Sequence, residues 1–548
     1  MKKMLSILLA LSMALSLLPA AIAEEGATEP DWNSMEKYDI SLATYFAAVP
    51  AEDAHIIKTI EDHFNVDMTL LPIEDSNFME VLNTYIMGGD TPDVIRMKDP
   101  GQLFNYVDQG VIGEINMDIL REYAPSIAAS IDAYEDGTFW SYGNVDGVQY
   151  AIPGLSGGNI FHLPIVYNKT WMDNVGVTET PKTLEEFEDL MRKFTFEDPD
   201  GNGVNDTYGL SSDGLRQLFG AYGINPGACD GRTDHSYIQL IDGEVQYAAA
   251  TEQYKEALKV AHRWYEEGLI DPEFITGENT GGYWAISHSF INHRIGMTVR
   301  GNYYHWVMPG AYEDFDEEGN LVPLWFDACG NVAKEFINTN PNEDIVFGDP
   351  VEGPYGKGVK SWNILAQFWI FSPEICEDEG RFARWCAIME WMNRQYSEDQ
   401  EIKGEWWKDI YGEEGDLWYW KDYEANTPAW TAKYRELYPE FAAVDNFGPT
   451  QWGPTVMGKQ TSRQAQYGYS LGYDQDGIIN LVQFSLPQMA ENQTNITNLK
   501  DQWMVSFITG EKDVDADWDA YIAEMNAMGL EAMMTEIREW YAGSTSAE

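Results

Sequence analysis

Apolar and polar positions alternate between two periods along the first part of the chain. Short runs with strand-like character are separated by stretches in which apolar side chains recur every three to four residues. The pattern predicts strands at 40–46, 66–71 and 93–97 and helices at 54–64, at 77–87 and from 103. Strands and helices that alternate in this way predict a doubly wound parallel sheet.

Ligands of such sheets bind beyond the carboxyl ends of the strands. The three loops at those ends begin at Tyr45, Glu74 and Arg96. Tyr45, Asn77, Arg96 and Asp99 are therefore candidate ligand-binding residues, and Arg96 and Asp99 carry groups that hydrogen-bond hydroxyls.

A second α/β pattern follows a break near Ile152-Pro153. Thr183 and Glu186 form a predicted capping box that opens a helix running through Phe194. Further strands are predicted at 147–153, 160–167, 294–299 and 367–371, and further helices at 251–268, 499–508, 518–528 and 531–540.

The amino terminus carries the pattern of a secretory signal. Lys2 and Lys3 precede an apolar run from Leu5 to Leu18 and a small-x-small site at 21–23. We predict a signal peptide at 1–23, a linker at 24–36 and a secreted, extracellular protein. No cysteine follows the apolar run, so a lipid anchor at that point is not predicted; association with the cell surface by another route stays open.

Charge and composition narrow the function classes. The formal net charge is −56, and a surface this acidic repels nucleic acid and anionic membranes. The chain has 20 Trp and 31 Tyr, which suit either sugar stacking or an aromatic-rich core. Of the four cysteines, Cys376 and Cys386 are predicted to lie on one helix, too far apart to bridge, and buried free thiols are preferred to a Cys229–Cys329 disulfide.

The segment DPDGNGVNDTYGL, from Asp198, matches most of a calcium loop. Oxygen-bearing side chains or carbonyls fall at loop positions 1, 3, 5, 7 and 9: Asp198, Asp200, Asn202, Val204 and Asp206. Gly203 permits the sharp turn, but position 12 is Gly209 instead of the usual bidentate glutamate. We predict a structural Ca²⁺ ion; the alternative is a turn closed by its own Asx hydrogen bonds.

The sequence contains no G-x-S-x-G elbow, H-E-x-x-H motif or phosphate-binding loop, so no catalytic residue is predicted. Carboxylates are so numerous that a glycosidase pair requires geometry to support it.

Several segments, in order, resemble the family 1 extracellular solute-binding proteins, the carbohydrate-capturing subunits of bacterial ABC importers. The resemblance is to the large Gram-positive type, distantly similar to maltose-binding protein. It rests on YIMGGDTPDVI from Tyr85, YNKTWMDNVGV with TPKTLEEFEDLMRKF from Tyr167, WYEEGLIDPEF from Trp264, FINHRIGMTV from Phe290 and FITGEKDVDADWDAYIAEMNAMGL from Phe507.

The resemblance implies a two-lobed periplasmic-binding-protein-like α/β fold with the ligand in a cleft between the lobes. Lobe one would comprise 37–152 with 355–395, and lobe two 153–354 with 396–548. It also implies a monomer that binds an oligosaccharide, delivers it to ABC permease subunits and catalyses no reaction. A secreted glycoside hydrolase, and a binding protein for peptide or another solute, stay open as alternatives.

The resemblance places a sugar-stacking ring in the segment MTVRGNYYHW from Met297. Tyr303 is the first candidate and Tyr304 the second. Tryptophans in loops or turns complete the predicted ligand set: Trp140, Trp362 and Trp452.

Overall fold

A computed structural model describes residues 30–46, 55–74, 78–97, 102–155, 165–224, 237–275, 283–299, 303–316, 320–357, 361–362, 365–394, 400–422, 427–433, 478–482 and 486–545. Up to residue 155 the elements are β1 (Tyr38–Phe46), α1 (His55–Phe64), β2 (Val66–Glu74), α2 (Phe78–Gly88), β3 (Val94–Met97), α3 (Leu103–Asp108), α4 (Met117–Tyr123), α5 (Pro125–Ala133), β4 (Asn144–Val145), β5 (Val148–Gln149) and β6 (Ala151–Leu155).

The middle of the chain alternates between short strands and helices. Its elements are β7 (Ile165–Asn168), α6 (Lys169–Asn174), α7 (Leu184–Phe196), α8 (Leu215–Ala221), β8 (Ile238–Ile241), β9 (Glu244–Tyr247), α9 (Glu252–Glu266), α10 (Tyr283–Ile291), β10 (Met297–Thr298), β11 (Glu313–Phe315), β12 (Leu321–Pro323), α11 (Asn331–Thr339), β13 (Ile345–Gly348) and β14 (Ser361–Trp362).

The last third is mostly helical. It contains β15 (Leu365–Phe371), α12 (Pro373–Glu377), α13 (Glu379–Asn393), α14 (Gln400–Tyr411), β16 (Trp418–Asp422), β17 (Thr427–Trp430), β18 (Ile478–Ile479), α15 (Pro487–Thr509), α16 (Trp518–Ala527) and α17 (Leu530–Thr545).

The chain divides into two units, each made of separate stretches. The first unit comprises the described residues of Met1–Leu155, Ala366–Tyr419 and Ala429–Gly458, and the second those of Ser156–Leu365, Trp420–Pro428 and Lys459–Glu548. Within 37–548, the predicted lobe boundaries differ from these units over 153–155, 355–365, 396–419 and 429–458, and they stay a prediction.

The first unit is built on a five-stranded sheet in the order β2-β1-β3-β15-β6. β1 pairs with both β2 and β3 in parallel, as predicted. Several apolar side chains of this sheet are fully buried, among them Ile40, Leu42, Val94 and Ile95, because helices cover a sheet of this kind on its faces.

The three strands on which the parallel sheet was predicted do pair in parallel, but β15 makes the sheet a mixed one. This strand pairs with β3 in the antiparallel direction, with Phe368 opposite Met97 and Phe371 opposite Val94. The chain re-enters the first unit from the second at Ala366, so β15 enters the sheet at the edge where β3 ends.

The segment 24–36, predicted to be a linker, is folded over its described residues, 30–36. Trp32 is 5% exposed, and the Arg384 guanidinium carbon lies 4.5 Å from its ring centroid. Arg384 also donates to the carbonyl oxygens of Phe64 and Asn65, at the end of α1. This fully buried arginine thus ties the start of the described chain to α13 and α1.

The second unit contains a three-stranded sheet in the order β10-β7-β13, with both pairings antiparallel. The helix α7 begins at the predicted capping box: Thr183 accepts from the Glu186 amide, and the Glu186 side chain accepts from the Thr183 amide. A buried cluster next to the sheet contains Val166, Phe290, Ile291, Ile295, Trp306, Val332 and Phe336.

Cys376 and Cys386 do not share a helix, so that prediction is wrong. Asp378 separates α12 from α13 and accepts from the Arg381 amide as the N-cap of α13. Cys329, Cys376 and Cys386 are free, as predicted. Cys229 lies outside the described residues.

Tryptophan contributes mainly to the two cores in the described part of the chain. The fully buried tryptophans are Trp171, Trp264, Trp306, Trp369, Trp385, Trp391 and Trp418. In the same part of the chain, no helix has both the length and the apolar character that a membrane span requires.

Candidate functional site

Arg96 lies at the carboxyl edge of the first unit's sheet. It is the third residue of β3, it faces Trp369 of β15 across the ladder, and it is 7% exposed. Its Nε donates to the Gln367 side-chain oxygen at 2.7 Å. The structure therefore holds a buried cationic donor at the edge where this kind of sheet binds its ligands.

Gly154 of β6 makes room for Gln367. A Cβ at Gly154 would lie 2.7 Å from the Gln367 Cγ and 3.2 Å from its carbonyl oxygen. The absence of a side chain at residue 154 thus lets Gln367 pack beside β6 while it orients Arg96. Gln367 and Gly154 were not predicted; the available signal was one amide within the otherwise apolar run LAQFWIF.

Trp140 is half-buried and fixed by polar contacts. Its indole N–H donates to the Asp132 carboxylate at 2.8 Å, and the Arg121 guanidinium carbon lies 6.0 Å from its ring. The bond from Arg121 holds the pKa of Asp132 below its usual range. The ring thus has a structural role, and its contact with a ligand stays a prediction.

The structure does not describe the side chains of the other candidate ligand residues in the first unit. Tyr45 pairs with Ile73 through the β1–β2 ladder, and its side chain lies outside the described residues, as do Asn77, Asp99 and Trp452.

In the second unit, a buried tryptophan anchors the segment that carries the predicted stacking ring. Tyr303–Trp306 forms a short 3₁₀ helix. Trp306 is fully buried and meets Phe290 edge-on, with 5.4 Å between the ring centroids. Trp306 therefore anchors the end of the short helix that Tyr303 begins. The side chains of Tyr303 and Tyr304 lie outside the described residues.

Asp213 fixes the strand that precedes this segment. Its carboxylate is fully buried and accepts from the Thr298 hydroxyl at 2.8 Å and from the Val299 amide at 2.7 Å. These bonds hold the end of β10, five residues before Tyr303. Asp213 was not predicted, and nothing in its local sequence distinguishes it from a turn residue.

Trp362 belongs to β14 and pairs with Ile479 of β18 in the parallel direction. Its side chain lies outside the described residues. None of the predicted ligand-binding residues is contradicted, and their roles stay predictions.

The oxygen-rich loop closes on itself. The Asp198 carboxylate accepts from the Gly203 amide at 3.0 Å, and Asn202 donates to Asp200 at 2.8 Å and to Asp206 at 3.2 Å. Gly203 has a φ of +83°, which favours glycine at the turn.

The donor chemistry of the loop fits a hard cation. Burial, the bond from Asp198 and the charges of Asp206 and Asp198 raise the pKa of Asp200. A cation among these oxygens would offset that repulsion. Over the described ranges, however, no three His, Cys, Asp or Glu side chains are gathered into a metal site.

Gly209, at position 12 of the loop, cannot carry a glutamate without rearrangement. A Cβ there would lie 2.7 Å from the Met191 Cβ and 2.9 Å from the Met191 carbonyl oxygen of α7. The departure from the usual calcium loop therefore follows from the packing of the loop against its own preceding helix.

A cavity of about 710 Å³ lies within the first unit and contains none of the predicted site residues. Gly113, Asn116, Gln149 and Cys376 are among its lining residues. Burial raises the pKa of the Cys376 thiol to about 12, so this sulfur is a poor nucleophile at neutral pH.

Comparison with known proteins indicates which class of protein this chain resembles. A family model described as bacterial extracellular solute-binding protein matches residues 47–272. The fructooligosaccharide ABC transporter substrate-binding protein FusA of Streptococcus pneumoniae is 26% identical over 290 residues, 48% of this chain and 52% of that protein. The polygalacturonan/rhamnogalacturonan-binding protein YtcQ of Bacillus subtilis is 26% identical over 253 residues, 46% of this chain and 47% of that protein.

The chain spans about half the length of the curated relatives it matches. Solved structures match over more of it. FusA with kestose has a TM-score of 0.59 at 18% identity and covers 94% of this chain and 100% of that one. An HMO-binding, ABC-transporter-associated solute-binding protein of Bifidobacterium longum infantis has a TM-score of 0.61 at 17% identity and covers 92% of this chain and 98% of that one.

The fold is therefore the two-lobed α/β fold of periplasmic-type solute-binding proteins, as predicted. The particular resemblance, to carbohydrate-capturing subunits of ABC importers, is confirmed by the family match over 47–272 and by the named relatives.

Proposed function

We propose that this protein captures an oligosaccharide outside the cell and delivers it to an ABC importer. The observation that carries the proposal is the match of residues 47–272 to the extracellular solute-binding family. The sugar-binding descriptions of FusA and YtcQ support the choice of ligand class. The predicted signal peptide supports export, and we propose that the protein acts as a monomer.

We further propose that the ligand is an uncharged oligosaccharide. FusA is named for a neutral fructooligosaccharide, whereas YtcQ is named for polyuronides. A formal net charge of −56 repels a polyanion at long range, and this repulsion is strongest at low ionic strength.

A calorimetric panel tests both statements. The panel contains kestose, a fructan pentasaccharide, trigalacturonate and a tripeptide, each titrated into the mature protein at low and at physiological salt. We expect binding of a neutral sugar with little salt dependence. Tight binding of trigalacturonate alone contradicts the neutral ligand, and binding of the peptide alone contradicts the sugar.

Within this function, Arg96 is proposed as a hydrogen-bond donor to sugar hydroxyls and Tyr303 as the stacking ring. Arg96 is supported by its place at the carboxyl edge of the first sheet, where Gln367 holds its Nε. Tyr303 is supported by the anchored helix that it begins. The other predicted ligand-binding residues are proposed as further contacts with the sugar, after these two in order of preference.

We propose that the protein itself carries out no reaction. The relatives are described as binding proteins, which supports this reading over a glycoside hydrolase. Incubation of the purified protein with each sugar of the panel, followed by chromatography, checks it. Sustained release of shorter products, lost on substitution of one carboxylate, contradicts the proposal.

We also propose that the loop 198–206 holds a structural Ca²⁺ ion. Asp198, Asp200, Asn202, Asp206 and the Val204 carbonyl would be its donors. A solved structure of FusA is described as an EF-hand mutant, which supports a calcium loop in a protein of this fold. The bound ion would supply positive charge among three carboxylates and so stiffen the turn between α7 and the following segment.

A further inference from the structure

Two tyrosine rings of the second unit, Tyr222 and Tyr355, lie side by side, and one of them is exposed. Tyr355 is 53% exposed, and the centroid of its ring lies 5.9 Å from that of Tyr222, with 39° between the ring planes. We call these two side chains the tyrosine pair.

The backbone beneath the pair is fixed. The Tyr355 amide donates to the Ala221 carbonyl at 3.0 Å, and the Gly353 amide donates to the Gly356 carbonyl at 2.9 Å. The turn 353–356 therefore rests directly on the end of α8, and Tyr222 follows that helix.

Two glycines make this close approach feasible. A Cβ at Gly353 would lie 2.4 Å from the Ala221 Cβ and 2.7 Å from the Ala221 carbonyl oxygen. Gly223 has a φ of +75°, and a Cβ there would lie 3.3 Å from the Tyr355 Cβ. The contact that presents the rings thus depends on residues without side chains at 223 and 353.

The polar surroundings suit hydroxyl-rich ligands. Burial, aided by the nearby charge of Glu256, raises the pKa of Tyr222, so its hydroxyl keeps its proton at neutral pH and can donate. An exposed ring with a polar edge offers both an apolar face for the C–H groups of a sugar and a donor for its hydroxyls.

We propose that the tyrosine pair is an additional sugar-stacking subsite for the oligosaccharide, with one sugar ring packed on Tyr355. The inference rests on the proposed function, which supplies the ligand class. Because the backbone at 353–356 is already ordered, contact with a sugar immobilises little besides the Tyr355 ring, and this limits the entropy lost on binding.

The test compares Tyr355→Ala, Tyr355→Phe and Phe196→Ala by calorimetric titration of the mature protein. Phe196, also in the second unit, is 52% exposed and serves as the matched control for the loss of an exposed ring. The probes are a fructan pentasaccharide and pentagalacturonate. Melting temperatures of all three variants are recorded beside the titrations.

Loss of a stacked ring should weaken binding of whichever pentasaccharide the unmodified protein binds by roughly five- to tenfold. Tyr355→Phe keeps the ring and should bind within about twofold of the unmodified protein, as should Phe196→Ala, since twofold is under about 0.5 kcal/mol. The melting temperature of Tyr355→Ala should stay close to the original because the side chain is half exposed.

Two results overturn the inference while they leave the proposed function intact: unchanged pentasaccharide affinity in Tyr355→Ala, or an equal loss in Phe196→Ala. If the unmodified protein binds neither pentasaccharide nor any shorter sugar of the panel, the proposed function fails, and the subsite fails with it.

Discussion

Glu188 is the centre of an ion-pair network whose contribution to stability can be measured as a function of pH. In α7, its carboxylate accepts from both terminal nitrogens of Arg263 at 2.6 and 2.8 Å and from the Trp264 indole at 2.8 Å. Arg192, one turn further along α7, bonds the same carboxylate and also Glu267 at 2.9 Å. The network thus joins α7 to α9.

These bonds outweigh the effect of burial, which opposes them, and lower the pKa of Glu188 to about 2 from an ordinary value of 4.5. At 1.36 kcal/mol for each pKa unit, the difference corresponds to about 3 kcal/mol. The Glu188 side chain is 15% exposed but that of Arg263 is 45% exposed, so screening by solvent reduces the expected contribution to about 2 kcal/mol.

The sign follows from the depressed pKa. The contribution is fully present above the unfolded value of 4.5 and is lost as the pH falls through about 2. We therefore expect Glu188→Gln to lower the free energy of unfolding by about 2 kcal/mol at pH 7 and by progressively less below pH 4.5.

Urea unfolding at a series of pH values, followed by tryptophan fluorescence, measures this difference. Glu179→Gln is the control, because Glu179 is 81% exposed and lies 3.8 Å from Lys182. Its unfolding curves should follow those of the unmodified protein at every pH. A Glu188→Gln effect that is absent at pH 7, or equally large at pH 2, refutes the reasoning.

Three further predictions follow from single sites. Calcium should raise the melting temperature of chelator-treated protein, since a hundredfold excess of ligand over Kd adds about 2.7 kcal/mol to the free energy of unfolding. Asp200→Ala should abolish this response, and a melting temperature that chelator leaves unchanged contradicts the proposed calcium site. Gly296→Ala should destabilise by about 1–3 kcal/mol in thermal melts, because its Cβ would lie 2.1 Å from the Phe194 ring, whereas Gly404→Ala, with nothing within 4 Å, should not. Tyr303→Ala should weaken sugar binding by about 2 kcal/mol, roughly thirtyfold, with Tyr303→Phe much less affected; unchanged calorimetric affinity in a folded variant moves the stacking ring elsewhere.

Local signals predicted the parts of the fold that are stabilised locally. The alternation of strand and helix periods placed β1, α1, β2 and α2 close to their observed bounds. The capping box at Thr183 and Glu186 was predicted for the same reason, since both partners lie within one helical turn.

The boundary between α12 and α13 was missed, although its signal is local, because the helical pattern around it is stronger. The residues from Pro373 to Asn393 have helix-favouring composition, which predicted one helix with both thiols on it. Ser372 caps the start of this stretch, and Asp378, whose side chain accepts from the Arg381 amide, divides it into two helices. A capping residue inside a helical pattern therefore indicates a boundary as well as a polar position.

The site is harder to predict than the fold because its contacts join residues far apart in sequence. Arg96 and Gln367 are 271 positions apart, and their bond exists because β15 returns to the first sheet in the antiparallel direction. No periodicity in either segment encodes the direction of that return. A strand-end arginine could be nominated from the rule for open α/β sheets. The glutamine that orients it, and the glycine that makes room for the glutamine, required the tertiary structure.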